Sequence, residues 1–245
     1  DFVQVPTTLL AMVDSSVGGK TGVNHAMGKN LIGAFHQPRM VWIDTAYLDT
    51  LPRREFVAGY AELYKNAFIG GRAMFNFVKE HHDAMFAPRR DALADGIERS
   101  VRVKAAVVQQ DERESGVRAL LNFGHTFAHA FERFFGYDRI MHGEAVLWGI
   151  ACACDLGERI GTIPEQCRPI YRELLAKLPL PRLPSAPDTK RIYEAMFSDK
   201  KTRDGKLRFV VPLEPGGSRV QDGIEGGDVL ATLDKVLAQP PTVSQ

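Results

Sequence analysis

The chain has 245 residues, 44% of them apolar and 25% charged, with 31 Lys and Arg against 30 Asp and Glu. This composition fits a globular chain of one or two domains long enough to bury a core, and its near-neutral balance gives no reason to expect a nucleic-acid or membrane-surface partner. No apolar run reaches membrane-spanning length, no signal peptide is expected, and Cys152, Cys154 and Cys167 are too few and too irregular for a disulfide scaffold or a zinc ribbon, so they read as buried thiols of a cytoplasmic protein.

The chain opens on Asp1-Phe2-Val3-Gln4-Val5, already an alternating apolar strand and without an initiator Met, which reads as a piece of a longer protein. Residues 2–5 and 40–44 have the pattern of short buried strands. Residues 14–30, between them, are so rich in Gly, Ser and Asn that no regular structure is expected. The Gly18-Gly19-Lys20-Thr21 run there is superficially similar to a phosphate-binding loop, but Ser15 stands at the first Gly position of the full spacing, so the P-loop reading is weak. The physics survives without the motif. Glycines expose backbone N–H groups, Lys20 supplies a point charge for an oxyanion, and Lys29 and Asn30 add a polar pair. A flexible surface loop is the plain alternative.

After the Leu51-Pro52 break, Phe56, Tyr60, Leu63, Tyr64, Ala67 and Phe68 recur at helical spacing over residues 55–69. Glu62, Lys65 and Asn66 occupy the polar face of that helix, where a surface ion pair is the simpler account of Glu62 and Lys65. Helical patterns follow at about 73–86, 91–110, 120–135, 143–160, 165–177 and 188–197. Residues 206–212 and 218–223, joined by Glu214-Pro215-Gly216-Gly217, predict a hairpin, and Asp228 is placed to cap a last helix. The organisation is an α/β fragment over residues 1–52 followed by a mainly α-helical domain over 53–245.

Chemistry concentrates on the segment 120–135, where Phe123, Phe127, Phe131 and Phe134 share one face. Opposite them run Arg118, Asn122, His125, His129 and Glu132, at steps of four, three, four and three, so one continuous helix would turn all five toward a single cavity. A guanidinium, an amide, two imidazoles and a carboxylate suit metal and anion binding together, although a solvated face is the bland reading of such a stripe. His142 opens the next helix as His142-Gly143-Glu144, near where that helix turns back, and Glu62 is a candidate to complete a zinc site with open positions for substrate.

Taken in order, these segments resemble the 3-dehydroquinate synthase family along essentially the whole chain. The matching strings are Val5-Pro6-Thr7-Thr8-Leu9-Leu10, Val13-Asp14-Ser15-Ser16-Val17-Gly18-Gly19-Lys20-Thr21-Gly22-Val23-Asn24 and Gly28-Lys29-Asn30-Leu31-Ile32-Gly33-Ala34-Phe35. Then come Ala61-Glu62 with Lys65, Leu121-Asn122-Phe123-Gly124-His125-Thr126-Phe127, His142-Gly143-Glu144-Ala145-Val146 and Asp199-Lys200-Lys201. The resemblance implies a dehydroquinate synthase-like, glycerol dehydrogenase-like architecture lacking most of its N-terminal nucleotide-binding domain, and a homodimer.

It further implies NAD and Zn (or Co) as cofactors, with Glu62, His125 and His142 as the metal ligands. Glu114 and His129, the proton-transfer groups, and Lys65 would be catalytic, while Asp14, Lys20, Asn30, Lys104, Arg118, Asn122 and one of Lys200 or Lys201 would bind substrate. Thr7, Thr8, Lys29, Tyr47, Leu48, Asp49 and Thr50 would contact the dinucleotide. The implied reaction converts 3-deoxy-arabino-heptulosonate 7-phosphate to 3-dehydroquinate and phosphate in the shikimate pathway. A transient oxidation acidifies a C–H, phosphate leaves, the hydride returns, and an intramolecular aldol step closes the carbocycle.

Two residues depart from the family pattern: Ala128 stands where Gly is usual between the two helix histidines, and Lys65 has Tyr64 before it and Asn66 after it. The rival readings are a sister cyclase making a deoxyinosose or a valiolone, a metal-dependent alcohol dehydrogenase, and a non-catalytic truncated module. Asn122 and the Asp199-Lys200-Lys201 run favour the dehydroquinate enzyme over its sisters, and a substrate without a carboxylate would leave Arg118 and Lys104 without an obvious partner.

Overall fold

The computed structural model describes residues 1–25, 28–87, 90–112, 116–197 and 207–241; within the strands, the side chains of residues 24–31 lie outside that description. The N-terminal region holds four strands, β1 (Val3–Gln4), β2 (Lys20–His25), β3 (Gly28–Phe35) and β4 (Met40–Val41), with a π-helical turn Ala11–Ser15 and a 3-10 helix Thr45–Thr50. β1 and β4 pair in parallel, with Val3 opposite Met40. They are not the buried strands expected, because Val3, Met40 and Trp42 are each about half exposed or more.

The stretch expected to be irregular is largely ordered. β2 and β3 form an antiparallel hairpin with Gly22 opposite Gly33 and Val23 opposite Ile32. The β-branched Thr21, Val23 and Ile32 between the glycines suit a ladder that composition concealed.

Among the described residues, eight α-helices follow the order read from periodicity: α1 (Arg53–Ile69), α2 (Gly71–Met85), α3 (Asp91–Gln110), α4 (His125–Phe135), α5 (His142–Arg159), α6 (Arg168–Leu175), α7 (Thr189–Met196) and α8 (Gly226–Ala238). Between α7 and α8, β5 (Arg208–Pro212) and β6 (Ser218–Asp222) form the predicted hairpin, with Val210 opposite Val220. Asp228 sits in the first turn of α8 rather than at its cap, which Glu225 occupies.

α5 is the axis of the helical region. Every residue from Gly143 to Gly157 is buried, and all but the ion-paired Glu144 and Asp155 are small or apolar, as befits a helix enclosed by others. It packs against α1, α4 and α8 and against β5. α1 is enclosed in the same way from Ala58 to Phe68. The stacked Phe68 and Phe123 rings, 4.6 Å apart, tie α1 to the segment entering α4. Cys152, Cys154 and Cys167 are buried and free, as expected. Among the described residues no helix is long and apolar enough to cross a membrane.

Two glycines let the helices meet closely enough to build a site. Gly124 has φ +77°, in the left-handed region. A Cβ on Gly143 would stand 1.9 Å from the Ala58 carbonyl oxygen, so α5 starts in direct contact with the α1 backbone.

Candidate active site

The expected continuous helix over residues 120–135 is in fact two pieces. Val117–Asn122 is a 3-10 helix, Phe123 and Gly124 break the path, and α4 begins at His125. Arg118 and Asn122 therefore do not share a helix face with His125, His129 and Glu132. The reversal at Gly124 stops α-helical hydrogen bonding and lets the Phe123 carbonyl turn toward His125 Nδ1 at 3.1 Å. Phe135 rather than Phe134 completes the fully buried aromatic face.

Glu62 on α1, His125 on α4 and His142 on α5 converge, with one potential ligand atom from each lying within 4.8 Å of the others. Glu62 Oε1 is 3.3 Å from His142 Nε2 and 3.5 Å from His125 Nε2. Lys65 Nζ ion-pairs with Glu62 Oε2. This is no surface pair, since Glu62 is 1% and Lys65 3% exposed. The enclosed α1 carries both groups inward.

Burial alone would raise the Glu62 pKa, but Lys65, His125 and His142 together hold it well below the ordinary carboxylate value. Burial opposes the charge on Lys65 too, yet Glu62 and Asp14 keep its pKa raised. Burial pushes His125 well below the ordinary imidazole value against the pull of Glu62, while Lys65 and His142 push the same way. For His142, burial is overcome by the Glu132 and Glu62 carboxylates facing its two ring nitrogens, which raise its pKa to about 10.

These residues fit a divalent metal. Both Glu62 oxygens are buried and accept no well-directed hydrogen bond, so ion contacts alone balance them. Two imidazole nitrogens and one carboxylate also form a donor set that zinc accepts while keeping a position open. Secondary contacts hold the ligands in place. Arg54 Nε and Nη2 each reach a Glu144 oxygen at 2.7 Å, and Glu144 Oε2 accepts from the Met141 backbone N–H at 2.9 Å, which fixes the first turn of α5 and with it His142.

A second polar group adjoins the first. Lys104 on α3 donates to the Asp14 backbone oxygen and to Asp14 Oδ1, both at 2.6 Å, joining α3 to the π-helical turn. Burial lowers the Lys104 pKa, Asp14 opposes this, and Lys65 lowers it further. Arg118 is 3% exposed. Its Nη2 donates to the Gly18 oxygen at 3.0 Å and its Nη1 to the Glu112 oxygen, so its fork ends on loop carbonyls. The Asn122 amide donates to the Ala119 oxygen at 3.3 Å. The His129 ring lies 5.6 Å from that of His125.

Lys20 opens β2 and is exposed, whereas Lys29 and Asn30 lie on β3 with side chains outside the described residues. Glu114, Lys200 and Lys201 also lie outside the described residues. Among the described side chains, no hydrogen bond or ion pair joins the expected dinucleotide contacts to the metal-ligand residues. Thr8 Oγ1 accepts from the Ala11 N–H at 3.2 Å, and Thr7 is exposed. Tyr47, Asp49 and Thr50 are exposed on the 3-10 helix, while the Leu48 side chain belongs to the core. Ala128 is fully buried and belongs to the hydrophobic core, with its backbone nitrogen close to Gly149 of α5.

Sequence reasoning missed Arg54, Glu144 and the Phe123 carbonyl as supports. The one available signal was Glu144, three residues beyond Met141, where a capping carboxylate belongs.

Comparison with known proteins accords with this geometry. The family model for 3-dehydroquinate synthase C-terminal matches residues 59–202, and that for 3-dehydroquinate synthase N-terminal matches residues 1–58. Among curated relatives, a 3-dehydroquinate synthase of Saccharophagus degradans is 49% identical over 96% of this chain and 65% of its own length. One from Rhodospirillum rubrum is 48% identical over 97% of this chain and 64% of its own. The chain thus spans about 65% of the length of these relatives.

Among solved structures, a 2-epi-5-epi-valiolone synthase from Streptomyces hygroscopicus with NAD+ and Zn2+ bound superposes with a TM-score of 0.84 at 28% identity, covering 97% of this chain and 66% of that one. A 2-deoxy-scyllo-inosose synthase complexed with carbaglucose-6-phosphate, NAD+ and Co2+ gives 0.80 at 26% identity, covering 95% and 66%. A probable glycerol dehydrogenase from Sinorhizobium meliloti, 15% identical with a TM-score of 0.56, shares the fold. The chain belongs to the 3-dehydroquinate synthase family.

Proposed function

We propose that this chain is the metal- and substrate-binding part of a 3-dehydroquinate synthase that converts 3-deoxy-arabino-heptulosonate 7-phosphate to 3-dehydroquinate and phosphate. The convergence of Glu62, His125 and His142 beside the buried Lys65, Asp14 and Lys104 carries this reading. The curated relatives of that name, at 43–49% identity, support it over the sister cyclases, at 26–28%.

In this reading Glu62, His125 and His142 would hold a divalent metal, and bound metal and NAD would supply Lewis-acid and hydride-transfer chemistry. The remaining work belongs to the chain's own side chains. Lys65, kept charged by Glu62 and Asp14, presents a fixed cation to the oxygen that gains negative character. Lys104 and Arg118 bind the substrate carboxylate, once Arg118 exchanges the Gly18 and Glu112 carbonyls for a bidentate partner. Lys20 and Asn30, with Lys200 or Lys201, bind the phosphate, while His129 and Glu114 move protons at the leaving-group end. The helix crossings at Gly124 and Gly143 hold the ring in register, so catalysis rests on positioning. Thr7, Thr8, Lys29 and the segment 47–50 serve the dinucleotide, and a homodimer completes the proposal.

The test is an assay of the complete reading frame with the seven-carbon sugar phosphate, NAD+ and Zn2+. Release of phosphate with dehydroquinate formed, no net NADH, and loss of turnover in His125→Ala is the expected result. Turnover of sedoheptulose 7-phosphate or glucose 6-phosphate instead would transfer the protein to a sister cyclase. A net yield of NADH would make it a dehydrogenase.

A further inference from the structure

Glu132 stands in the polar stripe read from the sequence, yet the family resemblance gives it no role. It is 4% exposed, two turns along α4 from His125. Its Oε1 lies 3.4 Å from His142 Nδ1, while Nε2 of the same ring lies 3.3 Å from Glu62 Oε1. A neutral imidazole carries one N–H and one lone pair. With a carboxylate facing Nδ1, the hydrogen that remains once Nε2 binds a metal belongs there, and the lone pair on Nε2 faces the ligand cluster. His125 is oriented in the same sense, but by the neutral Phe123 carbonyl at 3.1 Å. The two histidines therefore have unlike supports, one a backbone dipole and the other a buried charge that a side-chain exchange can remove.

We propose that Glu132 is a positioning residue for the metal ligand His142, fixing its Nδ1–H tautomer and ring orientation and strengthening donation from Nε2. The inference rests on the reading that Glu62, His125 and His142 hold a divalent metal. Carboxylate partners of ligating imidazoles orient the ring and raise its basicity. Here α4 supplies one ligand directly, through His125, and supports another on α5, through Glu132. The packing of α4 on α5 is thereby coupled to metal affinity, and not only to the core.

Co2+ titration of the chain tests this, followed by visible absorption and by competition with a chelator, in wild type, Glu132→Gln, Glu132→Asp, Glu132→Ala and His125→Ala. Gln keeps the shape and loses the charge. The expected result is a Co2+ Kd raised by about 10–100-fold in Glu132→Gln and an altered visible spectrum, with the loss of affinity out of proportion to any fall in the unfolding temperature of the metal-free protein. Glu132→Asp, which keeps the charge at shorter reach, is expected to bind more tightly than Glu132→Ala. Wild-type affinity and spectrum in Glu132→Gln, with binding lost in His125→Ala, would overturn this inference and leave the metal site standing. Equal losses in Gln, Asp and Ala, tracked by equal losses of metal-free stability, would reduce Glu132 to packing. Failure of the wild type to bind Co2+ would overturn the metal reading and this inference with it.

Discussion

Replacing Gly143 by Ala adds one methyl group where α5 meets α1. The new Cβ would stand 1.9 Å from the Ala58 oxygen and 2.4 Å from the Ala58 carbonyl carbon. Both are backbone atoms of an enclosed helix, so no side chain can swing aside, and the start of α5 must retreat by more than an ångström. Overpacking of this kind costs about 1–3 kcal/mol, and a backbone obstacle places Gly143→Ala at the upper end. For a chain of this size, about 3 kcal/mol corresponds to a fall of roughly 6–12 °C in unfolding temperature. The same retreat draws His142 Nε2 away from Glu62 Oε1, now 3.3 Å apart, so the stabilisation produced by added Zn2+ should shrink as well.

Thermal unfolding by circular dichroism, with and without Zn2+, reads both effects. Gly227→Ala is the control. It makes the same chemical change in α8, where nothing lies within 4 Å of the new methyl and φ is not positive, and it should be neutral or stabilising by about 0.5–1 kcal/mol. If Gly143→Ala unfolds with the wild type and keeps the full Zn2+ shift, the helix contact is looser than described and the coupling of that contact to the ligand cluster fails.

Lys65→Met removes the cation that balances a fully enclosed carboxylate, and stranding one member of a buried pair costs roughly 3–5 kcal/mol. Bound metal should restore much of this loss, so the Zn2+-induced rise in unfolding temperature should be larger in Lys65→Met than in wild type, and an equal rise would deny that Lys65 and the metal balance the same carboxylate. His82, whose Nδ1 lies 2.9 Å from the Tyr60 hydroxyl, has its pKa lowered by burial, opposed by Asp83 and aided by Lys177. The unfolded chain therefore binds more protons as pH falls below the ordinary imidazole value, so this contribution is intact above about pH 6.5 and is lost as pH drops through the depressed value. Urea midpoints measured between about pH 7.5 and 5 should fall less steeply in His82→Gln, and parallel slopes would refute the assignment.

Much of the architecture was present in local pattern. Tyr60, Tyr64 and Phe68 marked α1, Glu214-Pro215-Gly216-Gly217 marked the turn between β5 and β6, and the helical pattern at 143–160 marked α5, whose enclosure on every side only the structure shows. The order of chemically distinctive strings was likewise enough to indicate the family and its candidate ligands. Periodicity misjudged α4, because it records which positions are apolar and not whether the backbone between them stays helical. Gly124 permits a left-handed residue that ends the path, and with it the shared face of Arg118 and His125.

Burial was the other matter left to the tertiary structure. Spacing put Glu62 and Lys65 on one side of α1, but whether that side meets water depends on α3, α5 and the Ala11–Ser15 turn, contributed by distant parts of the chain. The same holds for Glu132, a polar residue in a stripe until α5 brings His142 Nδ1 to it. Sequence by itself determined the element order, the apolar faces and the identity of the donor atoms, all properties of neighbours along the chain. Only the tertiary structure decided which donors share a cavity and which support the others, because those relations are set by helix crossings as close as Gly143 on Ala58 and by the exclusion of water that follows.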